Sequence, residues 1–281
     1  MMKKKLLIIL IPIITILLVI SGIYFYHEST TLEVSHYEVS NSKITNDFNN
    51  FKIIQISDFH NTKNKKLVKS IITTIEEEKP NIIVITGDFF DPNKSHMSSS
   101  IDFIKLINKY AKVYYVTGNH EAYDDTTKYV DELRNNGGIV LDNKAEVIEI
   151  NESKINILGI DDPKFYNGDE KLKNKEIIKR EIESIDYNKD NYTILLSHRP
   201  EVFKLYAELN MDLVFSGHAH GGQFRIPFAV YAPHQGLFPK YTSGEYKKDN
   251  TTMIVSRGIG NGFPLRINNN PNLVVVTLKS A

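Results

Sequence analysis

The segment FKIIQISDFH, residues 51–60, decides the fold class of this 281-residue chain. Its apolar part has the β-branched composition of a buried strand, and Asp58 and His60 follow directly. Two further apolar runs, 82–86 and 113–117, occur downstream, and a stretch with helical character follows each of the three strands. We place these helices at residues 64–79, 98–110 and 124–136. Strands that alternate with helices are typical of a parallel sheet with crossover helices, so we expect an α/β fold.

The second half of the chain has a different pattern, in which the strands are short and lie close together. Runs at residues 139–141, 145–150 and 154–160 have the spacing of β-hairpins, and a charged helix is predicted at 169–185. Further strands are predicted at 192–197, 212–216, 222–226, 252–256 and 272–278. The segment 227–248 is aromatic and interrupted by Pro and Gly, and loops of this length in compact domains are usually functional.

The N-terminus predicts a membrane anchor. Lys3, Lys4 and Lys5 precede residues 6–26, which carry no charge and are numerous enough to cross a hydrocarbon core of about 30 Å as a helix. The Lys cluster is expected to stay in the cytoplasm, which places the rest of the chain outside. The alternative is a cleaved signal peptide and a secreted protein. We therefore divide the chain into an anchor at 1–27, an extracytoplasmic lead-in at 28–50 and a single domain at 51–281.

Composition excludes some functions and disfavours others. Lys+Arg and Asp+Glu both number 34, so the net charge is zero and nucleic acid is not expected as a partner. Cysteine is absent, which excludes disulfides, thiolate metal sites and a cysteine nucleophile. We expect a monomer.

Polar side chains follow several of the predicted strands at the point where each strand ends. Asp58, Asp88, Asn119 and His198 each come one or two residues after an apolar run. Ligands of open α/β sheets gather beyond the carboxyl ends of the strands, so these groups are expected at one rim. Two pairs of residues, Asp58/His60 and His218/His220, lie two positions apart, which places both side chains of a pair on one face of a strand end. The candidate metal ligands are therefore Asp58, His60, Asp88, Asn119, His198, His218 and His220. Such a mixed set suits two divalent ions drawn from manganese, zinc and iron.

His120 is the remaining imidazole beside these ligands. Because it is adjacent to Asn119, its side chain is expected to point toward the substrate and to act as a general acid. Glu121 either orients His120 or is a carboxylate at a helix N-terminus. The candidate substrate residues are Arg199, His234, Arg257 and Arg266, although for Arg257 and Arg266 a structural salt bridge is favoured slightly over phosphate contact. The aromatic loop around His234 either packs on itself or forms an apolar rim for a lipid or a bulky leaving group.

The order D-x-H, G-D, G-N-H-E, H and G-H-x-H resembles that of the calcineurin-like metallophosphoesterase superfamily. This resemblance implies a four-layer αββα sandwich of two mixed sheets. It also implies one metal ion on Asp58, His60 and His220, a second on Asn119, His198 and His218, Asp88 as the bridge, and His120 as proton donor. Motifs in residues 217–266 resemble a branch of membrane-anchored or exported phosphodiesterases related to those acting on diacylglucosamine-type lipids.

Three functional hypotheses follow from these patterns. The first is a membrane-anchored phosphoesterase, more specifically a phosphodiesterase, that hydrolyses lipid or cell-envelope phosphate esters. The second is a non-catalytic, membrane-tethered binding module with the same fold, which loss of a ligand or of His120 would favour. The third is a metal-dependent nuclease, which would need a basic groove and aromatic stacking platforms.

Overall fold

The computed structural model describes residues 2–92, 96–166, 171–260 and 266–281, and these contain two six-stranded mixed sheets. The first sheet has the order β1 (Glu33–Asn41), β14 (Asn272–Ser280), β2 (Lys52–Ile56), β3 (Ile82–Thr86), β4 (Lys112–Val116) and β5 (Gly138–Val140). The second has the order β12 (Gly244–Lys248), β13 (Thr251–Val255), β9 (Leu213–Ser216), β8 (Tyr192–Leu196), β7 (Ser153–Gly159) and β6 (Lys144–Ile150). A small antiparallel pair is formed by β10 (Tyr231–Ala232) and β11 (Gly236–Leu237).

Six α-helices occur in the described residues: α1 (Met2–Thr30), α2 (Lys65–Glu78), α3 (Ser98–Ile107), α4 (Asp124–Asn135), α5 (Lys171–Ser184) and α6 (Phe203–Glu208). The sequence of α2 explains both its limits and its packing. The Asn64 side chain accepts the Leu67 N–H, and Leu67, Ile71 and Ile75 form one buried stripe. Lys79 ends the helix in a left-handed conformation, and Pro80 follows.

Three apolar clusters separate the layers. Strand β2 shows how alternation produces them, because Ile53 packs between the two sheets whereas Ile54 and Ile56 pack against α2 and α3. On the outer face of the second sheet, Leu195 packs with Ile178 of α5 and neighbouring side chains of α6. The order helix, sheet, sheet, helix confirms the predicted four-layer αββα sandwich.

Two details of the prediction are wrong. The predicted strand 222–226 does not form, because Gly221, Gly222 and Gln223 have φ values of 64°, 80° and 60°, which an extended strand excludes. Only isolated bridges at Phe224 and Arg225 remain there. The run at 139–141 does not join the hairpin of β6 and β7 but forms β5, parallel to β4 in the first sheet. The start of the predicted helix 169–185 and tail residues 261–265 lie outside the described part of the chain.

Helix α1 is long and apolar enough to cross a membrane over Leu10–Thr30, and the most apolar part of this span is not buried in the protein. Its last turns contact the domain. Tyr24 Oη donates to Asn268 Oδ1 at 3.1 Å, and the Glu28 carboxylate accepts the Asn269 N–H at 2.8 Å. Strand β1 follows directly and pairs with β14, so part of the predicted lead-in segment belongs to the first sheet.

The two sheets are linked at the rim where β3, β8 and β9 end. The Gln55 amide donates to Thr86 Oγ1 at 2.9 Å and to the carbonyl of Ser216 at 2.8 Å. His198 Nδ1 lies 2.7 Å from the carbonyl oxygen of Thr86. These buried bonds bring the carboxyl ends of strands from both sheets to one place, where the polar side chains predicted from the sequence follow.

Candidate metal centre

The first group of metal-ligating side chains comprises Asp58, His60, Asp88 and His220, whose ligand atoms lie within 4.8 Å of one another. His220 Nε2 is 3.2 Å from Asp58 Oδ1 and 3.3 Å from His60 Nε2. His60 Nε2 is 4.0 Å from Asp88 Oδ2. All four residues are buried, so the donors face one another and not solvent.

The second group comprises Asp88, His198 and His218, again within 4.8 Å. His198 Nε2 lies 3.2 Å from both Asp88 Oδ2 and His218 Nδ1. Asp88 therefore belongs to both groups. Asn119 Oδ1 is buried and has no hydrogen-bond partner among the described residues, which leaves an amide oxygen available to a cation. This donor set fits two divalent ions.

The backbone around these ligands is strained. Asp58, His60, Asp88, His218 and His220 all have positive φ values, between 46° and 65°. Left-handed non-glycine residues are uncommon and are often found at functional sites. The turns also need glycine at close approaches, since a Cβ at residue 118 would overlap Asp88 and one at 217 would overlap Ser57. The surrounding sandwich stabilises this unfavourable local geometry.

Hydrogen bonds from neighbouring groups orient the side chains of the candidate ligands. Ser57 Oγ donates to Asp58 Oδ2 at 2.6 Å, and the His218 N–H lies 3.2 Å from both Asp58 carboxylate oxygens. His198 Nδ1 donates to the Thr86 carbonyl, which leaves Nε2, the nitrogen that faces Asp88, as the atom that would bind a metal ion. Bonds of this kind fix the tautomer of metal-binding imidazoles.

Burial and charge set the protonation of the imidazoles. Burial lowers the pKa of His220 to about 3, and burial together with Arg199 holds the pKa of His218 well below its ordinary value. Both rings are thus neutral at physiological pH, which is the form that binds metal. Burial alone would lower the pKa of His198, but the Asp88 carboxylate outweighs it and raises that pKa to about 10.

His120 lies at the edge of the centre, with its side chain 25% exposed. Its Nε2 is 3.9 Å from Asp88 Oδ2, and its Nδ1 is 3.3 Å from Asp91 Oδ1. Burial alone would lower the pKa of His120, but Asp88 and Asp91 together raise it to about 9. Sequence reasoning missed Asp91, although an acidic residue three positions after Asp88 was the available signal.

Glu121 has a structural role that the sequence analysis did not include. It is fully buried, and its carboxylate accepts the backbone N–H groups of Asp88, Phe90 and Gly118 at 3.0, 2.8 and 2.6 Å. It therefore clamps together the two loops that carry Asp88 and Asn119. Burial and the nearby Asp88 raise the pKa of Glu121 to about 7.

Two of the predicted substrate residues lie beside the centre. Arg199 is buried and forms a fork with Asp162, in which Nε–Oδ2 is 2.6 Å and Nη2–Oδ1 is 2.8 Å. Its Nη1 lies 2.9 Å from His234 Nδ1 and 3.4 Å from His218 Nε2. His234 thus joins the long loop to the metal centre.

The other two predicted substrate residues make structural contacts. Arg257 Nη2 lies 2.7 Å from Glu33 Oε1. Arg266 is buried and donates to backbone carbonyl groups, including those of Asn269 at 3.0 Å and Gly258 at 3.2 Å. The salt-bridge alternative therefore describes Arg257, and Arg266 braces the loop after β13.

Comparisons with known proteins identify the family of this chain. The model of the calcineurin-like phosphoesterase family matches residues 51–222. The uncharacterized metallophosphoesterase YkuE of Bacillus subtilis is 31% identical over 264 residues, 91% of this chain and 88% of that protein. The transmembrane protein with metallophosphoesterase domain of Danio rerio is 27% identical over 286 residues, 96% of this chain and 62% of that protein.

A solved structure shares the fold. Protein TT1561 of Thermus thermophilus superimposes with a TM-score of 0.51 at 12% identity, covering 75% of this chain and 91% of that one. The family is dinuclear and metal-dependent, and the structure contains candidate metal-binding groups of buried carboxylates and imidazoles. This chain belongs to the calcineurin-like phosphoesterase family and is a metal-dependent phosphoester hydrolase.

Proposed function

We propose that this protein is a membrane-anchored phosphodiesterase that uses two divalent metal ions outside the membrane. The observation that carries the proposal is the position of Asp88, which is shared by two donor groups. A carboxylate that faces two sets of imidazoles is suited to bridge two ions. Asp58, His60 and His220 would hold one ion, and His198, His218 and Asn119 would hold the other.

When bound, the two ions would supply a nucleophilic water at neutral pH and would neutralise the phosphoryl oxygens. His120 would donate a proton from Nε2 to the leaving oxygen, because Nδ1 faces Asp91 and Nε2 is the ring nitrogen on the side of Asp88. Asp91, on the opposite ring nitrogen, would hold the ring in position. Glu121 would keep the loops of Asp88 and Asn119 at a fixed separation through its three backbone hydrogen bonds.

Membrane anchoring and a lipid or cell-envelope phosphate ester as substrate are the finer parts of the proposal. The composition of α1, the Lys cluster at Lys3–Lys5 and the name of the zebrafish relative support an anchor with a cytoplasmic N-terminus. The three-part division of the chain at residues 27 and 50 belongs to this proposal. Substrates in or near the bilayer suit an enzyme held at its surface.

The test is a substrate and metal panel with the full chain in detergent. Bis-p-nitrophenyl phosphate is compared with p-nitrophenyl phosphate in the presence of Mn²⁺, Zn²⁺ or Fe²⁺. We expect the diester to be hydrolysed faster, with Mn²⁺ giving the highest rate. We also expect Asp88→Ala to abolish turnover because both donor groups lose a member.

The matched control is Asp102→Ala, since the Asp102 side chain is 74% exposed and lies on α3. This variant should keep the parental rate. Turnover that survives in Asp88→Ala would refute the shared-ligand assignment, and a preference for the monoester would refute the phosphodiesterase assignment.

A further inference from the structure

The loop after the metal centre carries an exposed apolar surface. Ile226, Phe228, Tyr231, Leu237 and Phe238 are 62%, 74%, 48%, 69% and 77% exposed, and we call this set the apolar tip. Among the described residues outside α1, every large apolar side chain with more than 60% exposure belongs to it. Clusters of exposed apolar side chains on this scale usually mark an interaction surface.

Backbone hydrogen bonds hold the apolar tip in a defined conformation. Tyr231 pairs with Leu237 across β10 and β11, and the Phe238 N–H donates to the Val230 carbonyl at 3.0 Å. The Ile226 N–H donates to the Phe228 carbonyl at 2.9 Å, which closes a second tight turn. The backbone is therefore held so that these side chains project outward and are not folded into the core.

The apolar tip is continuous with the end of the apolar helix. Asn268 accepts a hydrogen bond from Tyr24 of α1, and its side-chain amide donates to the Arg225 carbonyl at 3.1 Å. The Arg225 N–H in turn donates to the Ile267 carbonyl at 3.0 Å. Ile226, the first residue of the tip, is thus one residue from a segment that contacts the last two turns of α1.

The base of the same loop reaches the metal centre. His234, between β10 and β11, lies 2.9 Å from Arg199 and 3.4 Å from His218. One short segment therefore joins the metal centre, the apolar tip and the end of α1.

We propose that the apolar tip is a second membrane contact, which inserts into the interfacial layer of the bilayer that α1 spans and holds the metal centre against its outer surface. Phe and Tyr are the side chains favoured in this layer, and exposed Lys240 beside Phe238 suits lipid phosphate groups. The inference rests on the proposed membrane anchoring. It identifies the bilayer, and not a soluble protein, as the partner of this surface.

The test uses the absence of cysteine from the chain, which allows single-cysteine labelling without background. An environment-sensitive nitrobenzoxadiazole dye is attached to Phe228→Cys, Phe238→Cys, Leu18→Cys or Val147→Cys in the full chain. Each protein is placed in phosphatidylcholine nanodiscs with and without lipids that carry a quenching doxyl group. Leu18 reports on the helix, and Val147, 50% exposed on β6, is the matched apolar control.

We expect quenching lipid to lower the fluorescence at 228 and 238 at least about twofold, more strongly when the doxyl group lies near the headgroup, and to leave 147 unchanged. Quenching at 18 with none at 228 and 238 would overturn the tip contact while leaving the anchor intact. Equal quenching at 147 would overturn it as well. No quenching at 18 would overturn the anchoring itself, and the tip contact with it.

Discussion

The metal centre and the apolar tip are neighbours with opposite construction. At the centre, charged and polar side chains such as Asp58 and His198 are buried and held by hydrogen bonds from both sheets. At the tip, large apolar side chains such as Phe228 are exposed on short hairpins. Each arrangement lowers the stability of the folded state when no partner is bound. At the metal centre, burial removes polar groups from water, and at the apolar tip, large apolar side chains remain exposed to water. This difference is consistent with the two proposals made above, in which cations bound at the metal centre and a bilayer in contact with the apolar tip would offset these costs.

After the loss of turnover expected for Asp88→Ala, the largest effect is expected at His120, an imidazole that belongs to neither proposed set of metal ligands. His120→Ala should lower kcat by about 10²–10⁴-fold and leave the metal content unchanged, because a proton donor is lost and no ligand is removed. The rate is measured with bis-p-nitrophenyl phosphate and the metal content by elemental analysis. The exposed His96→Ala variant is the control. Loss of metal from His120→Ala would contradict the assigned role.

The buried ion pair of Arg199 and Asp162, beside the metal centre, is expected to stabilise the folded protein. Asp162→Ala leaves the Arg199 charge buried without its fork, so the free energy of unfolding should fall by about 3–5 kcal/mol. Asp142→Ala, which removes an exposed partner of Arg134, should cost less than about 1 kcal/mol. Chemical denaturation in detergent compares the two. Equal losses would show that the buried fork contributes no more than a surface ion pair.

Glu121→Ala tests the clamp between the ligand loops. Three buried N–H groups lose their acceptor, so the free energy of unfolding should fall by about 2–3 kcal/mol, with a loss of metal affinity. The exposed Glu149→Ala on β6 is the matched control. If Glu121→Ala binds metal as tightly as the parent, the separation of the loops does not depend on this carboxylate.

Strand β3 and Glu121 differ in how far they could be predicted from the sequence. The strand Ile82–Thr86 was predicted to the residue, because an apolar β-branched run between Pro80 and Gly87 has one interpretation. The side chains that converge on the centre could also be predicted, since each follows a strand. Glu121 could not be assigned, because two of its three partners are backbone groups of a loop about 30 residues away in sequence.

The loop regions were the least predictable part of the fold. A strand was expected at 222–226 from its composition, but three consecutive residues with positive φ exclude it. Asp91 was missed because its distance to His120 depends on how two separate loops turn. The contact of Tyr24 with Asn268 joins residues 244 positions apart, and no local pattern specifies it.

A smaller effect on stability is expected from Asp161, whose side chain is partly buried. Burial raises the pKa of Asp161 to about 6, although the bond from Thr117 opposes this. The folded state therefore binds the proton more tightly than the unfolded chain, and stability is lost as pH rises from about 4 to 6. This loss should be about 1–2 kcal/mol and absent in Asp161→Asn, which unfolding measurements across that range can check. Identical pH profiles for both proteins would contradict the raised pKa.

The smallest effect is expected at the apolar tip. Phe228→Ser removes an exposed side chain, so the free energy of unfolding should change by less than about 0.5 kcal/mol. Turnover of soluble bis-p-nitrophenyl phosphate should stay at the parental rate, because the variant leaves the metal centre unchanged. A large loss of either quantity would show that the tip supports the centre structurally, and the contrast between the two regions would then be wrong.

Asp88 is the residue proposed to bind both metal ions, and anomalous diffraction from crystals of the full chain grown with Mn²⁺ would show the position of each ion relative to its carboxylate. We predict two anomalous peaks per chain, about 3.5–4 Å apart, with the Asp88 carboxylate bonded to both. A single peak, or two peaks of which only one contacts Asp88, would show that Asp88 does not bridge two metal ions.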